Sequence, residues 1–280
     1  MIWPILKEKA REQGLPLTTV TAEVLHLVAL DVIFGVPESQ PICFQGGTSI
    51  HLLYGGYRYS EDLDFAGNLL DQELAQKLIK KSQPEIEKNI IQLLGNGQCQ
   101  WRFPSASKLR RIYAYWLNFQ PDGIHQKYRL KLEFASYPVY NTKVMPVRSE
   151  FDVLQRRSLV TGLDSSELLA EKISAVASRL YLKKRDLFDL WYLSEVLGTS
   201  IDMGLVEKKF HDYRVSWSKR ELEEKLASIS SQHLSAEMNR FLPQRYREQL
   251  SKGDYEIVRR TALGVMQRIN EGLSSSSKQK

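Results

Sequence analysis

The spacing of apolar and polar residues predicts the first elements of the chain. Helical spacing over residues 5–35 predicts an N-terminal helical cover. Residues 42–45 form a short apolar run that follows Pro37 and Pro41, and this pattern predicts a buried strand. The chain therefore begins with helices and then enters a sheet.

The next segment alternates between helix and strand. Residues 49–54 predict a short helix that Thr48 can cap. Residues 59–66 predict a second strand, and residues 70–94 predict a helix that Pro84 must interrupt. Three more strand-like runs follow at 100–103, 112–119 and 128–134. The N-terminal half therefore predicts a mixed α/β fold.

After Pro146 the pattern changes, because helical spacing dominates residues 164–269 and only residues 156–160 suggest a further strand. Asp164 followed by Glu167 has the spacing of a capping box and predicts a helix start. The predicted fold class is α/β (α+β), with a small mixed sheet, flanking helices and a helical C-terminal part. The predicted division is an α/β domain at 1–155, a helical domain at 156–272 and a disordered tail at 273–280.

Composition and charge are consistent with a folded enzyme that acts on a polyanion. The 280 residues are 42% hydrophobic and 26% charged, and the net charge of +6 favours a partner such as nucleic acid. Cys43 and Cys99 lie far apart and outside any metal-ligand spacing, which suits a reduced cytoplasm. The apolar stretch 24–36 is too short to cross a bilayer and contains His26 and Asp31, so we expect no membrane insertion.

The strand at 59–66 carries the candidate metal ligands. Side chains alternate along a strand, so Asp62 and Asp64 should share one face, together with Ser60. Glu133 joins them if its neighbouring strand turns it inward, and Lys131 beside it is not expected to compete chemically. Each pair of carboxylates ~5 Å apart would repel by roughly 3 kcal/mol, so the cluster needs a cation. Ligands that are all oxygen favour Mg²⁺ or Mn²⁺ over zinc.

A candidate phosphate site directly precedes this strand. Gly46 and Gly47 lead into a helix whose free N–H groups and dipole can hold phosphate. Arg58 and Ser60 can contact phosphate as well, although each can instead support the local turn. A metal beside a phosphate site is what in-line phosphoryl or nucleotidyl transfer requires. The candidate nucleotide-binding residues are Gly46, Gly47, Thr48, Ser49, Arg58 and Ser60.

Four segments resemble motifs of the AbiEii/AbiGii toxin family of nucleotidyltransferases. Residues 46–48 followed by 58–65 resemble its first motif, G-G-T/S and then R-x-S-x-D-h-D-h. Residues 131–133 resemble its carboxylate-bearing strand, and residues 171–175 resemble its lysine helix. Residues 184–190 resemble its R-D-x-x-D-h segment, and the chain beyond residue 200 matches no motif.

The resemblance implies roles for three residues of the C-terminal part. Lys172 would hold the triphosphate or stabilise charge on the transferred phosphorus, although a lysine among apolar neighbours can also extend to water. Asp186 would be catalytic and Asp189 would help to bind the nucleotide. The two aspartates share a helix face, and ordinary pairing with Arg185 or Lys183 is the alternative.

The resemblance also implies a biological setting. It implies transfer of a nucleotide from an NTP to RNA, particularly the tRNA acceptor end, by the toxin of a type IV toxin–antitoxin or phage abortive-infection system. An antitoxin encoded nearby is expected. Phosphoryl transfer, or nucleotide transfer to a protein hydroxyl, remains an alternative on the same fold. A non-catalytic nucleic-acid-binding module would be expected to have lost an acidic or basic motif residue, and all are present.

Overall fold

The computed structural model describes residues 1–68, 70–105, 111–149, 151, 159–216, 218–227, 230–253 and 255–276. It divides into two compact units, Met1–Leu163 and Asp164–Lys280. The boundary predicted near residue 155 lies outside the described residues.

The first unit combines four α-helices, one short 3₁₀ helix (Pro37–Ser39) and seven strands within the described residues. The helices are α1 (Trp3–Gln13), α2 (Leu17–Phe34), α3 (Gly46–Tyr54) and α4 (Gln72–Leu94). The strands are β1 (Cys43–Gln45), β2 (Asp62–Ala66), β3 (Gly97–Arg102), β4 (Ile112–Pro121), β5 (Tyr128–Ala135), β6 (Thr142–Pro146) and β7 (Leu159–Leu163).

The seven strands form one mixed sheet in the order β3-β4-β5-β2-β1-β7-β6. β2 runs parallel to β5, and β1 runs parallel to β7, while the other neighbouring pairs are antiparallel. Alternation along β2 buries Leu63 and Phe65 and leaves Asp62 and Asp64 partly accessible on the opposite face. The mixed α/β fold predicted from the sequence is confirmed, and β2 lies at the centre of the sheet.

α2 is a core helix of this unit. By length and composition it is apolar enough to cross a membrane, but 72% of it is buried inside the structure. It packs against α4 and β5, which explains why apolar residues occur on nearly every side of it.

Four local predictions for this unit are wrong. Thr48 does not cap α3, because the helix begins at Gly46 and Thr48 lies within its first turn. Pro84 does not interrupt α4, because it lies on the exposed side, where water can satisfy the carbonyl that its missing N–H leaves unpaired. β6 was not predicted, since its residues are largely exposed and lack an alternating pattern. β2 begins at Asp62 and not at residue 59, so strand alternation does not place Ser60 beside the aspartates.

All regular secondary structure in the described part of the second unit is helical. Its helices are α5 (Ser165–Ser178), α6 (Lys184–Trp191), α7 (Met203–Asp212), α8 (Lys219–Ala227), α9 (Ser231–Met238), α10 (Gln244–Ser251) and α11 (Glu256–Ser276). The predicted cap of α5 is present, because Asp164 Oδ1 accepts the N–H groups of Ser166 at 2.8 Å and Glu167 at 3.1 Å. α11 extends through residues 273–276 of the tail predicted to be disordered, and residues 277–280 lie outside the described residues.

Candidate active site

One face of the β2–β5 pair carries four charged side chains. Asp62 lies opposite Lys131 and Asp64 lies opposite Glu133 in the parallel register. Because neighbouring residues in register point to the same side of a sheet, all four side chains share the face opposite the core. The structure therefore places Glu133 on the same face as the two aspartates.

Lys131 bridges two of the three carboxylates on this face. Its Nζ lies 3.3 Å from Asp62 Oδ2 and 2.9 Å from Glu133 Oε1. Partial burial lowers the pKa of Lys131, but the hydrogen bond to Glu133 and the charge of Asp62 outweigh burial and raise that pKa above its usual value. The Lys131 side chain therefore stays protonated and adds a positive charge to this face, a role that the sequence pattern did not reveal.

The carboxylates on this face fit a hard divalent cation. Asp62 and Asp64 supply oxygen donors from one side of β2, and both remain partly accessible. Across the described ranges, no three His, Cys, Asp or Glu side chains converge as a ready metal cluster. Asp62 and Asp64 are therefore the main oxygen donors for Mg²⁺ or Mn²⁺. Glu133 lies on the same face, but it is paired with Lys131.

The N-terminus of α3 adjoins Asp64 and Arg58. Gly46 has φ of +82°, and a Cβ at this position would overlap the Asp64 carboxylate. A Cβ at Gly47 would overlap the Arg58 guanidinium, which is almost fully buried and donates to the Tyr59 carbonyl at 3.1 Å. The two glycines thus allow an anion and a cation to approach the first turn of the helix.

The hydroxyl groups of Thr48 and Ser49 hold this helix start in place. Thr48 Oγ1 donates to the carbonyl of Asp62, and Ser49 Oγ donates to the carbonyl of Gly46 at 2.9 Å. Both side chains are buried. Their hydroxyls bond to backbone, so the groups that this segment offers to phosphate are the backbone N–H groups of the first helical turn.

His51 of α3 pairs with the buried Glu23 of α2, and the sequence pattern did not single out this pair. His51 Nε2 lies 3.0 Å from Glu23 Oε2, His51 Nδ1 lies 2.5 Å from the Gly56 carbonyl oxygen, and Ser149 Oγ donates to Glu23 at 2.7 Å. Burial lowers the pKa of His51, but the charge of Glu23 and the hydrogen bonds to Glu23 and Gly56 outweigh burial and raise that pKa. The one available sequence signal was a glutamate at the start of the apolar run of α2.

In the second unit, Lys172 is bound by both aspartates of the predicted motif. Its Nζ lies 3.1 Å from Asp186 Oδ1 and 2.7 Å from Asp189 Oδ2. Arg179 also pairs with Asp186. Lys172, Asp186 and Asp189 are 9%, 2% and 1% exposed, so Lys172 does not extend to water as the alternative interpretation required.

A second buried lysine joins α5 to α7. Lys209 is 1% exposed, and its Nζ lies 2.7 Å from both Glu167 and Glu171. Tyr213 donates its hydroxyl to Glu171 at 2.7 Å. Burial lowers the pKa of Lys209, but the two glutamates outweigh this effect and raise it. Sequence reasoning missed Lys209, although its spacing of three and four residues from the buried Val206 and Leu205 places it on the buried face of α7.

Comparisons with known proteins agree with these observations. A search of curated proteins finds no match. Among solved structures, MenT4, a nucleotidyltransferase toxin from Mycobacterium tuberculosis H37Rv, is similar with a TM-score of 0.60 and 17% identity, covering 92% of each chain. JHP933 from Helicobacter pylori is similar with a TM-score of 0.56 and 16% identity, covering 95% of this chain and 100% of that one. These two likenesses show the fold.

The family model described as "Nucleotidyl transferase AbiEii toxin, Type IV TA system" matches residues 30–262. The match covers most of both units and all four motif segments. The chain therefore belongs to the AbiEii family of nucleotidyltransferases, the toxins of type IV toxin–antitoxin systems.

Proposed function

We propose that this nucleotidyltransferase uses a divalent metal, Mg²⁺ or Mn²⁺, to transfer a nucleotide from an NTP to an RNA acceptor, the 3′ end of tRNA. The observation that carries the proposal is the position of Asp62 and Asp64 on one face of β2, with Asp64 against Gly46 at the start of α3. Oxygen donors and a helix N-terminus are the two features that a metal-bound triphosphate needs.

In the proposed reaction the acceptor hydroxyl oxygen forms a bond to the α-phosphorus of the NTP. The bond from the α-phosphorus to the bridging oxygen of the β-phosphate breaks, pyrophosphate leaves and the hydroxyl proton passes to solvent or a nearby carboxylate. A divalent ion held by Asp62 and Asp64 would neutralise the phosphate oxygens and activate the acceptor hydroxyl. Glu133 completes the acidic face or accepts the proton.

Other residues of the chain bind the phosphate groups and stabilise the charge on them. Backbone N–H groups at Gly46, Gly47 and the following turn hold phosphate oxygens, and Arg58 supplies positive charge beside them. Lys172 binds the triphosphate or the charge that develops on the phosphorus. Asp186 and Asp189 orient the Lys172 ammonium, which they contact at 3.1 Å and 2.7 Å.

RNA as the acceptor is supported by the chain's charge and by its family. The net charge of +6 favours a polyanionic substrate. Membership of a type IV toxin family implies an antitoxin partner, which we expect to be encoded nearby and to act with the toxin in the cytoplasm as a defence against phage. Cys43 and Cys99 form no disulfide within the described part of the chain, which is consistent with a reducing compartment.

The test is to incubate the purified protein with total cellular RNA, Mg²⁺ and each α-³²P-labelled NTP in turn. We expect label in RNA of tRNA size, with one NTP preferred. Asp62→Asn and Lys172→Met should each abolish the label, because the first removes a metal-binding charge and the second removes the cation that neutralises phosphate.

Glu85→Gln is the matched control, since it removes a carboxylate that lies on the exposed face of α4 and pairs with Lys88 at 3.0 Å. It should label RNA as the wild-type protein does. Retention of full labelling by Asp62→Asn would exclude the proposed metal site. A loss of labelling supports the site when the melting temperature of the variant equals that of the control.

The chemistry of this face also fits phosphoryl transfer or nucleotide transfer to a protein hydroxyl. Parallel reactions with γ-³²P-labelled NTP separate the first alternative, because phosphoryl transfer leaves the γ-label in the product. Label in protein and none in RNA would assign the second. Either result would replace the RNA acceptor in our proposal.

A further inference from the structure

We propose that Lys131 is a built-in competitor of the divalent metal, an ammonium that must leave Asp62 before a metal ion can bind the acidic face. The inference deepens the proposed function and rests on its metal site. It assigns Lys131 a positioning role, because it acts through the carboxylates and not on the substrate.

The register of the sheet fixes Lys131 at the acidic face. It lies opposite Asp62 on the parallel strand β5, and two residues later Glu133 lies opposite Asp64. Its Nζ is 3.3 Å from Asp62 Oδ2 and 2.9 Å from Glu133 Oε1. The ammonium therefore contacts an oxygen of Asp62 that a metal ion would require.

The charges explain why a cation should sit there. Asp62, Asp64 and Glu133 bring three negative charges to one face, and Lys131 reduces that sum by one. Lys131, Asp62 and Glu133 are 25%, 29% and 30% exposed, so water weakens the ion pairs and the lysine can leave at moderate cost. A divalent ion near the same oxygens would be attracted to them more strongly than the singly charged ammonium that it displaces.

The experiment measures binding of Mn²⁺ to the whole purified chain, by the electron paramagnetic resonance signal of the free ion, without NTP or RNA. Lys131→Met keeps the length of the side chain and removes the charge, so Mn²⁺ affinity should rise by about fivefold. Lys131→Arg keeps the charge and should stay near the wild-type affinity. Lys81→Met removes a lysine that pairs with Glu38 at 2.7 Å on the same unit, and it should leave Mn²⁺ affinity unchanged.

The melting temperature is a second measurement, and it shows whether the variant is folded. Without metal, Lys131→Met should melt at a lower temperature than wild type, since its carboxylates repel each other, and Mn²⁺ should raise its melting temperature by more than that of wild type. If the wild type binds Mn²⁺ and Lys131→Met binds it with equal or lower affinity, the proposed competition is wrong and the metal site still stands. Absence of Mn²⁺ binding in both proteins would overturn the competition and the metal site together.

Discussion

At the start of α3 two neighbouring glycines make room for two charged side chains of opposite sign. Gly46 adopts a positive φ and lies against the Asp64 carboxylate, whereas Gly47 lies against the Arg58 guanidinium. A methyl group at either position would displace a charged group of the proposed site. The two positions differ because only Gly46 adopts a backbone conformation that disfavours a side chain.

Gly46→Ala should therefore harm both stability and activity. The positive φ costs about 1–2 kcal/mol with an alanine, and the overlap with Asp64 adds to it. We expect RNA labelling to fall by at least about tenfold, because the carboxylate must move away from the metal position. Urea unfolding and α-labelled NTP measure the two effects.

Gly47→Ala is the comparison, since its Cβ would meet the far end of the Arg58 side chain and no φ strain arises. It should cost less stability than Gly46→Ala. Wild-type stability and labelling in both variants would show that these contacts do not require a glycine at either position.

His26 predicts a loss of stability in mild acid. It is buried, donates from Nε2 to the Glu61 carbonyl at 3.1 Å, and burial lowers its pKa from 6.5 to about 4, although Glu23 and Asp62 oppose this shift. Below pH 6.5 the unfolded chain therefore binds a proton at His26 more readily than the folded chain does. The contribution of neutral His26 to the free energy of unfolding is fully present above pH 6.5 and is lost as the pH falls towards 4.

The expected loss is about 2 kcal/mol between pH 7 and pH 5, measured by urea unfolding at both values. His26→Gln should reduce this dependence, because its amide can still donate to Glu61 without titrating in this range. His125→Gln removes an exposed imidazole and should leave the dependence as in wild type. A pH dependence that is the same in His26→Gln and in wild type would contradict this assignment.

At the scale of elements, the sequence predicted those parts of the fold whose signal is local. β5 alternates apolar and charged residues along its whole length and was predicted within one residue of its end. α5 begins at the predicted cap, because capping depends on residues three apart. The shared face of Asp62 and Asp64 follows from strand alternation alone.

The remaining features depend on contacts between distant residues. The partners of Lys131 follow from the register of β2 with β5, which alternation in either strand does not specify. Lys209 reaches Glu167 from another helix, and His51 reaches Glu23 from another segment. β6 lies at an edge of the sheet and is largely exposed, so no apolar pattern identifies it.

The junction of α5 and α7 should be the most sensitive part of the second unit. Lys209→Met leaves Glu167 fully buried without its ammonium partner, which costs about 3–5 kcal/mol. Because α5 also carries Lys172, RNA labelling by Lys209→Met should fall together with the stability. Thermal unfolding and α-labelled NTP measure the two quantities.

Lys208→Met is the matched control, since it removes the same charge from the exposed face of the same helix. It should change stability by less than about 0.5 kcal/mol. The double variant Lys209→Met with Glu167→Gln should recover part of the loss, because it removes the unpaired buried charge. No recovery would show that the cost comes from lost packing and not from charge.

At the scale of the whole molecule, the proposed chemistry is divided between two compact units. Met1–Leu163 carries Asp62, Asp64 and Glu133, whereas Asp164–Lys280 carries Lys172 and Asp186. The main apolar core, from Leu6 to Val160, lies entirely within the first unit. That unit therefore has the buried apolar surface that independent folding requires.

The first unit, produced alone as residues 1–163, should fold and bind metal but transfer no nucleotide. We expect a cooperative thermal transition and Mn²⁺ binding close to that of the whole chain, because the metal-binding carboxylates and Lys131 all belong to this unit. RNA labelling should be absent, since Lys172 is missing. Asp62→Asn in the same fragment should abolish Mn²⁺ binding. Nucleotide transfer by the isolated unit would show that Lys172 and Asp186 are not required for the chemistry, and a fragment that melts without cooperativity would show that its core needs the second unit.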